Sequence, residues 1–115
     1  MEGKTLALRV YISSTDKWGH ELLSEKLVVE ANKKGLAGAT AFKGIMGYGA
    51  SSAIHSSKFW EMGEKVPVMV EIIDQSPKIK NFLEEIKPIL EEMKSGCTVV
   101  TQEVYMHMYK SGKKH

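Results

Sequence analysis

The strongest constraint on this chain is the order in which two hydrophobic periodicities alternate along it. Apolar residues recur at every second position in residues 6–12 and again in residues 66–73, which predicts two half-buried strands. Apolar residues recur at helical spacing in residues 20–34 and, after Pro77, as far as Glu92, which predicts two amphipathic helices. Two weaker β-rich segments complete the pattern at residues 38–46 and 98–108.

The ends of the predicted helices carry their own signals. Gly35 follows a basic pair of lysines, which is typical of the position just beyond a helix C-terminus. Asp74 or Ser76 is expected to cap the second helix, with Pro77 in its first turn. Pro88 lies inside that helix and is expected to kink it or to free a carbonyl.

Strand, helix, strand, strand, helix, strand is the order of an α+β, ferredoxin-like (βαββαβ) fold. Residues 1–115 are expected to form a single domain in which two helices cover one face of a four-stranded antiparallel sheet. The uncovered face is predicted to carry Ala7, Arg9, Tyr11, Met69, Glu71 and Ile73. Arg9 and Glu71 are expected to pair across neighbouring strands, and the large apolar groups beside them predict an oligomer.

Composition excludes several classes of protein. A net charge of +2 is too small to indicate binding to nucleic acid or to a membrane surface, and no apolar run approaches a membrane span in length. The first residues lack the apolar core of a signal peptide, so a cytoplasmic protein that is not embedded in the membrane is expected. The single cysteine, Cys97, rules out a disulfide framework and is expected to be a buried structural thiol.

Residues 43–55 are the segment that most suggests binding. Gly47 and Gly49 let the backbone turn tightly, and the hydroxyls of Ser51 and Ser52 could cradle an anion together with exposed N–H groups. The segment lacks the lysine and spacing of a Walker A loop and does not fit the dinucleotide fingerprint. Two interpretations therefore stand: a phosphate-binding loop, or a plain mobile hairpin loop.

Catalytic and metal sites are not indicated. His55 follows the two serines, but no residue pattern supplies an orienting carboxylate or a strained nucleophile turn. The four histidines are far apart in the sequence, without metal-ligand spacing. Trp18 and Trp60 are expected to be packing residues. The alternative function left open by these residues is a small ferredoxin-like enzyme with His55 as its acid–base group.

Three segments carry a resemblance to a known family. Residues 8–12, residues 38–55 and residues 66–74 closely resemble a family of small uncharacterised bacterial and archaeal PII-like proteins. The genes of that family often neighbour, or are fused to, fluoride-exporter genes. The resemblance covers residues 4–109, and the segment Gly-Tyr-Gly-Ala-Ser-Ser-x-x-His is its most specific part. A fainter similarity reaches the nitrogen-regulatory PII signal proteins, in which a comparable segment leads into the effector loop.

The resemblance implies a homotrimer with an adenine nucleotide (ADP, AMP or ATP) in each cleft between subunits. It implies no catalysis and no required cofactor. Residues 47–57 would then form a loop that changes shape when nucleotide binds and that contacts a transporter or an enzyme. The implied nucleotide-binding residues are Arg9, Lys43, Gly44, Gly47, Tyr48, Gly49, Ser51, Ser52, His55 and Lys94.

The chain also departs from the PII pattern. PII proteins have a second glycine-rich phosphate loop before the last strand, where this chain offers only residues 92–96 with Lys94. The arginine-bearing C-terminal segment of PII is absent, and residues 110–115 are expected to form a frayed basic tail. The resemblance therefore implies the fold and the trimer, and it leaves the identity of the nucleotide and of the partner open.

Overall fold

A computed structural model describes residues 4–49, 54–56 and 65–112. Ten elements follow one another in these ranges: β1 (Thr5–Ser13), β2 (Lys17–Trp18), β3 (Glu21–Leu22), α1 (Leu23–Lys33), β4 (Gly38–Lys43), β5 (Met46–Gly47), β6 (His55–Ser56), β7 (Pro67–Gln75), α2 (Ser76–Glu92) and β8 (Thr98–Val104). The four long strands and the two helices occur in the predicted βαββαβ order. The predicted extension of the chain at residues 58–60 lies outside the described residues.

The long strands form one antiparallel sheet in the order β4-β7-β1-β8. The two central strands pair along their whole length, with Thr5 opposite Gln75 and Ser13 opposite Pro67. This pairing aligns the alternating apolar residues of both strands, because side chains at every second position share a face. The predicted ferredoxin-like plan is therefore confirmed.

The core lies between the sheet and the two helices. α1 contacts β4 and β7, while α2 contacts β7 and β1. The largest fully buried side chains come from both layers: Leu8, Val10, Leu23, Leu27, Val70, Ile72, Ile79 and Ile86. Their spacing is two in the strands, four in α1 and seven (two helical turns) in α2, as the sequence predicts.

Several element boundaries differ from the prediction. α1 begins at Leu23, because residues 17–22 form the short β2–β3 hairpin around Gly19, whose φ is 67°. α2 has Gln75 at its N-cap position and no side-chain cap, so the capping role expected for Asp74 or Ser76 is wrong. β8 ends at Val104, before the predicted residue 108. Gly35 does follow α1 with a φ of 74°, as expected.

Pro88 lies within α2, and the helix continues to Glu92. Proline has no N–H to donate to the carbonyl of Glu84, four residues earlier. Both residues are exposed, so the solvent can take the place of the missing donor.

The face of the sheet opposite the helices is uncovered at its centre, and we call it the open face. Arg9 Nε lies 2.9 Å from Glu71 Oε2, and Arg9 Nη1 donates to Gln102 Oε1 at 2.6 Å. The predicted pairing of Arg9 with Glu71 is therefore confirmed. Exposed or half-buried apolar groups surround this cluster, at Tyr11, Phe42, Met69, Ile73 and Val100.

The chain beyond β8 crosses one end of the sheet. The Tyr109 hydroxyl donates to the Ala37 carbonyl at 3.3 Å, and Ala37 directly precedes β4 at the far edge from β8. At the same end of the sheet Thr5 and Ala7 are buried. The expected frayed tail is therefore preceded by an anchored segment.

Among the described residues, no helix is both long enough and apolar enough to cross a lipid bilayer.

Candidate functional site

The residues that could bind a ligand gather at one end of the sheet, which we call the loop end. It comprises residues 13–16 after β1, residues 43–49 after β4, residues 65–67 before β7, and residues 94–97 before β8. The antiparallel order places these connections at the same end of the sheet. Ser14 N donates to the Val66 carbonyl at 2.8 Å, and Val66 N donates to Ser14 Oγ at 3.1 Å.

Two glycines allow the segment after β4 to pack closely against Pro67. Gly44 N donates to the Pro67 carbonyl at 2.7 Å. A Cβ atom added at Gly44 would lie 2.9 Å from Pro67 Cγ, and one at Gly47 would lie 3.3 Å from the same atom. These two positions are glycine because of a close approach of backbone to a rigid ring, since neither has a positive φ.

Beyond Gly44 the chain leaves the sheet as a small two-stranded ribbon. Met46 pairs with Ser56, and Gly47 pairs with His55. Four large apolar side chains on this ribbon face solvent: Ile45 is 79%, Met46 60%, Tyr48 73% and Ile54 67% exposed. We call Ile45, Met46, Tyr48 and Ile54 the loop patch.

Half of the predicted site residues come together here. Five of them lie close together in the sequence on the β4 side of the loop end: Lys43, Gly44, Gly47, Tyr48 and Gly49. Ser51 and Ser52 lie outside the described residues, and of His55 only the backbone pairing is described.

Arg9 lies apart from this group. It is opposite Glu71, four residues from the Ser13–Pro67 pair that closes the loop end, so about 13 Å separates the two positions along the strand. Its guanidinium group already contacts Glu71 and Gln102. The structure therefore does not bring Arg9 to the loop.

Lys94 lies at the loop end but beside the opposite edge of the sheet. It precedes β8, whereas the glycine segment follows β4, and β7 and β1 lie between these two strands. Three strand spacings correspond to about 14 Å. The chain thus carries the two halves of the predicted anion site at opposite edges of its sheet.

A buried carboxylate fixes the connection that holds Lys94. Asp16 is only 7% exposed, and it accepts hydrogen bonds from Ser13 N at 2.8 Å and from Ser95 Oγ at 2.6 Å. Its carbonyl accepts from Leu23 N, the first residue of α1, at 2.8 Å. This role of Asp16 was not predicted from the sequence, although the Ser-Ser-Thr-Asp turn is a common setting for such local bonds.

Other candidate groups at this end are structural. Trp18 packs against the core, as expected, and Lys26 Nζ lies 5.5 Å from the centre of its ring. Cys97 also packs against the core but is half-buried rather than buried. Burial and, to a smaller extent, the Asp16 carboxylate raise the pKa of Cys97, which favours an unreactive thiol. Within the described ranges, no three acidic, histidine or cysteine residues form a metal-binding group.

A groove of about 270 Å³ lies on the helical face, between the end of α1 and α2, with Leu36 and Phe82 among its lining residues. Its two lysines are engaged: Lys34 Nζ is 2.8 Å from Glu85 Oε2, and Lys78 Nζ donates to the Gly35 carbonyl at 3.2 Å. The hydrogen bond and charge of Glu85 raise the pKa of Lys34. The groove is remote from the loop end.

Two kinds of comparison connect the chain to known proteins. The family described as DUF190 (Uncharacterized ACR, COG1993) matches residues 5–106. A UPF0166 protein of Aquifex aeolicus is 40% identical over 84 residues, which cover 73% of this chain and 80% of that protein. A UPF0166 protein of Methanocaldococcus jannaschii is 27% identical over 107 residues, covering 93% of this chain and 94% of that one.

Solved structures of CPII, a nitrogen regulatory PII-like protein from Thiomonas intermedia K12, share the fold. One of them, bound to ADP, AMP and bicarbonate, superimposes with a TM-score of 0.59 at 15% identity and covers 88% of each chain. Another, bound to ADP and bicarbonate, gives a TM-score of 0.56 with the same coverage. The PII-like resemblance is confirmed at the level of the fold, and the match over residues 5–106 shows that this chain belongs to the DUF190 family.

Proposed function

We propose that this chain is a PII-like regulatory protein that binds an adenine nucleotide (ADP, AMP or ATP) in the clefts of a homotrimer. The observation that carries the proposal is the division of the predicted anion site between two edges of the sheet. The fold shared with CPII, whose structures contain ADP and AMP, supports the same class of ligand.

A single subunit cannot complete such a site. The glycine segment lies beside β4 and Lys94 lies before β8, and these are the two outer strands of the sheet. A head-to-tail contact brings the β4 edge of one copy against the β8 edge of the next, and such contacts close into a ring when the rotation permits. Each cleft of a three-membered ring then contains both halves.

Each group in the cleft has a specific task in this proposal. The N–H groups of Gly47 and Gly49, with the hydroxyls of Ser51 and Ser52, bind the phosphates, and Tyr48 and His55 line the loop. Lys43 and the neighbouring subunit's copy of Lys94 supply positive charge. Arg9 reaches a phosphate only by leaving Glu71 and Gln102, so its charge serves the subunit contact instead.

Regulation follows from the place where the nucleotide binds. The described chain leaves the sheet at Gly44, whose N–H donates to the Pro67 carbonyl. A nucleotide at the base of this loop has a different affinity for each loop shape, and so it shifts the loop's affinity for a transporter or an enzyme. No step in this proposal requires turnover of the nucleotide.

Titration calorimetry with ATP, ADP and AMP tests the proposal. The protein concentration should be near 0.1 mM, because a dissociation constant of about 0.1 mM is roughly the weakest that is useful for an effector. At least one nucleotide is expected to bind, and Lys94→Ala is expected to weaken binding about tenfold through the loss of a charge-assisted hydrogen bond. Lys80→Ala is the matched control, because Lys80 is an exposed lysine on α2. The absence of heat with all three nucleotides, or a monomeric mass in solution, would contradict the proposal.

A further inference from the structure

The turn that carries Lys94 joins α2 to β8 without helix or strand structure of its own. Met93 and Cys97 pack against the core at its two ends, whereas Lys94 is exposed. The hydrogen bond that ties the middle of the turn to a distant part of the chain runs from Ser95 Oγ to Asp16 Oδ1, at 2.6 Å. The backbone beside Lys94 is therefore fixed through the Asp16 carboxylate.

Asp16 is itself held by three further hydrogen bonds. Its Oδ2 atom accepts from Ser13 N at 2.8 Å, and its own N–H donates to the Ser13 carbonyl at 3.1 Å. Its carbonyl accepts from Leu23 N at 2.8 Å. The turn that carries Lys94 thus takes its position from the end of β1 and the start of α1.

The same turn after β1 also holds the other half of the predicted anion site. Ser14 exchanges two hydrogen bonds with Val66, and the carbonyl of the next residue, Pro67, accepts from Gly44 N. Residues 13–16 are therefore a common anchor for the glycine segment at one edge of the sheet and for Lys94 at the other.

The charge of Asp16 is unfavourable at this place. A carboxylate near a phosphate site weakens the binding of the phosphate, and the burial of a carboxylate carries a cost of its own. Within the described ranges Asp16 belongs to no ion pair and to no metal-binding group that would explain the charge. What Asp16 contributes is its hydrogen bonds, and two of them are accepted by its side chain.

We propose that Asp16 is a positioning residue of the nucleotide site, which holds Lys94 where it meets the phosphates bound by the neighbouring subunit's glycine segment. The inference rests on the proposed function and adds to it a residue that acts through Lys94 without contacting the nucleotide. The site requires the hydrogen bonds of this side chain and not its charge.

Two substitutions of Asp16 separate its hydrogen bonds from its charge. Binding is measured by titration calorimetry with whichever of ATP, ADP and AMP the unaltered protein binds most tightly. Asp16→Ala is expected to weaken binding about tenfold, as Lys94→Ala does, because the turn is released. Asp16→Asn is expected to bind at least as tightly as the unaltered protein. Its amide oxygen accepts from Ser13 N, its amide nitrogen donates to Ser95 Oγ, and the negative charge is gone. Tighter binding by both variants would overturn the proposal, since Asp16 would then act through its charge alone.

A double-mutant cycle tests whether Asp16 acts through Lys94. The variant that combines Asp16→Ala with Lys94→Ala is expected to bind about tenfold more weakly than the unaltered protein, no worse than Lys94→Ala alone. Independent effects would instead multiply to about a hundredfold, and that result would contradict the proposal.

Ser95→Ala keeps the test decisive if Asp16→Ala does not fold. It removes the bond between Ser95 and Asp16 and leaves the bond between Ser13 and Asp16, and it is expected to weaken binding about fivefold. Unchanged binding by Ser95→Ala would overturn the proposal.

Asp74→Ala is the matched control for lost stability. Asp74 is also a buried aspartate with hydrogen bonds to backbone N–H groups, but it lies at the opposite end of the sheet. Asp74→Ala is expected to bind nucleotide as the unaltered protein does, and an equal loss of affinity would overturn the proposal, because reduced stability alone would then explain the Asp16 effect. An unaltered protein that binds no nucleotide would contradict the proposed function and this inference with it. An unaltered protein that binds, together with Asp16→Ala and Ser95→Ala variants that bind equally well, would contradict this inference alone.

Discussion

The two ends of the sheet are held together in different ways. At the loop end, backbone and glycine contacts with Val66 and Pro67 anchor a protruding ribbon. At the opposite end, which we call the closed end, the buried Asp74 accepts from Gln75 N at 2.6 Å and from Ala37 N at 2.9 Å. Ser76 N also donates to the Lys4 carbonyl at 2.8 Å there. The chain thus joins its elements firmly at one end and presents an exposed segment at the other.

This difference separates stability from binding. At the closed end, hydrogen bonds join β1, β7, α2 and the α1–β4 connection to one another. Few of their donors and acceptors are therefore left for a ligand to bind. At the loop end, apolar side chains and glycine backbone remain accessible on the ribbon. Substitutions at the closed end should therefore change the free energy of unfolding, and those on the ribbon should change binding.

Asp74→Ala is expected to have the largest effect, because it leaves two backbone N–H groups without their acceptor. We expect a loss of about 3 kcal/mol in the free energy of unfolding, measured by urea denaturation. Asp16→Ala is the counterpart at the loop end. Its loss should be smaller, at about 1–2 kcal/mol, because one of the donors to Asp16 is the Ser95 hydroxyl, which can turn to water. An Asp16 variant that is less stable than the Asp74 variant would break the contrast between the ends.

The two ends of β4 offer a second and sharper comparison. A Cβ atom at Gly44 meets Pro67 Cγ at 2.9 Å, whereas one at Gly38 meets nothing within 4 Å. Gly44→Ala is therefore expected to cost about 1–3 kcal/mol of unfolding free energy through overpacking. Gly38→Ala is expected to be neutral or slightly stabilising, because alanine restricts the unfolded chain. Equal unfolding midpoints for the two variants would show that the contact with Pro67 does not constrain the segment.

The sequence predicts the architecture because periodicity reports which face of each element is buried. The same alternation predicts that Arg9 and Glu71 share a face of the sheet, where the register of β1 and β7 brings them opposite each other. The positive φ of Gly35 could be predicted from its position just after α1, because this backbone conformation is a local property of helix ends.

Long-range hydrogen bonds could not be predicted in this way. Asp74 looks like a helix cap in the sequence, but its carboxylate binds Ala37 N, which is 37 positions away. Asp16 contacts Ser95 across 79 positions, and nothing in a local pattern marks that partner. The division of the predicted anion site between two sheet edges also depends on strand order, which places Lys94 and the glycine segment on opposite sides.

Cys97→Ser has the smallest expected effect on stability, and it tests how the surroundings of the thiol at the loop end act on its pKa. Burial, and then the Asp16 carboxylate, raise the pKa of its thiol, so the folded state favours the neutral form. The stabilisation is fully present below the ordinary thiol pKa of about 8.5 and is lost as the pH rises through the higher pKa of the folded state. Urea unfolding midpoints should therefore fall more steeply above about pH 8 for the unaltered protein than for Cys97→Ser. Parallel curves would mean that the thiol titrates equally in both states, and that the half-buried site next to Asp16 does not disfavour the thiolate.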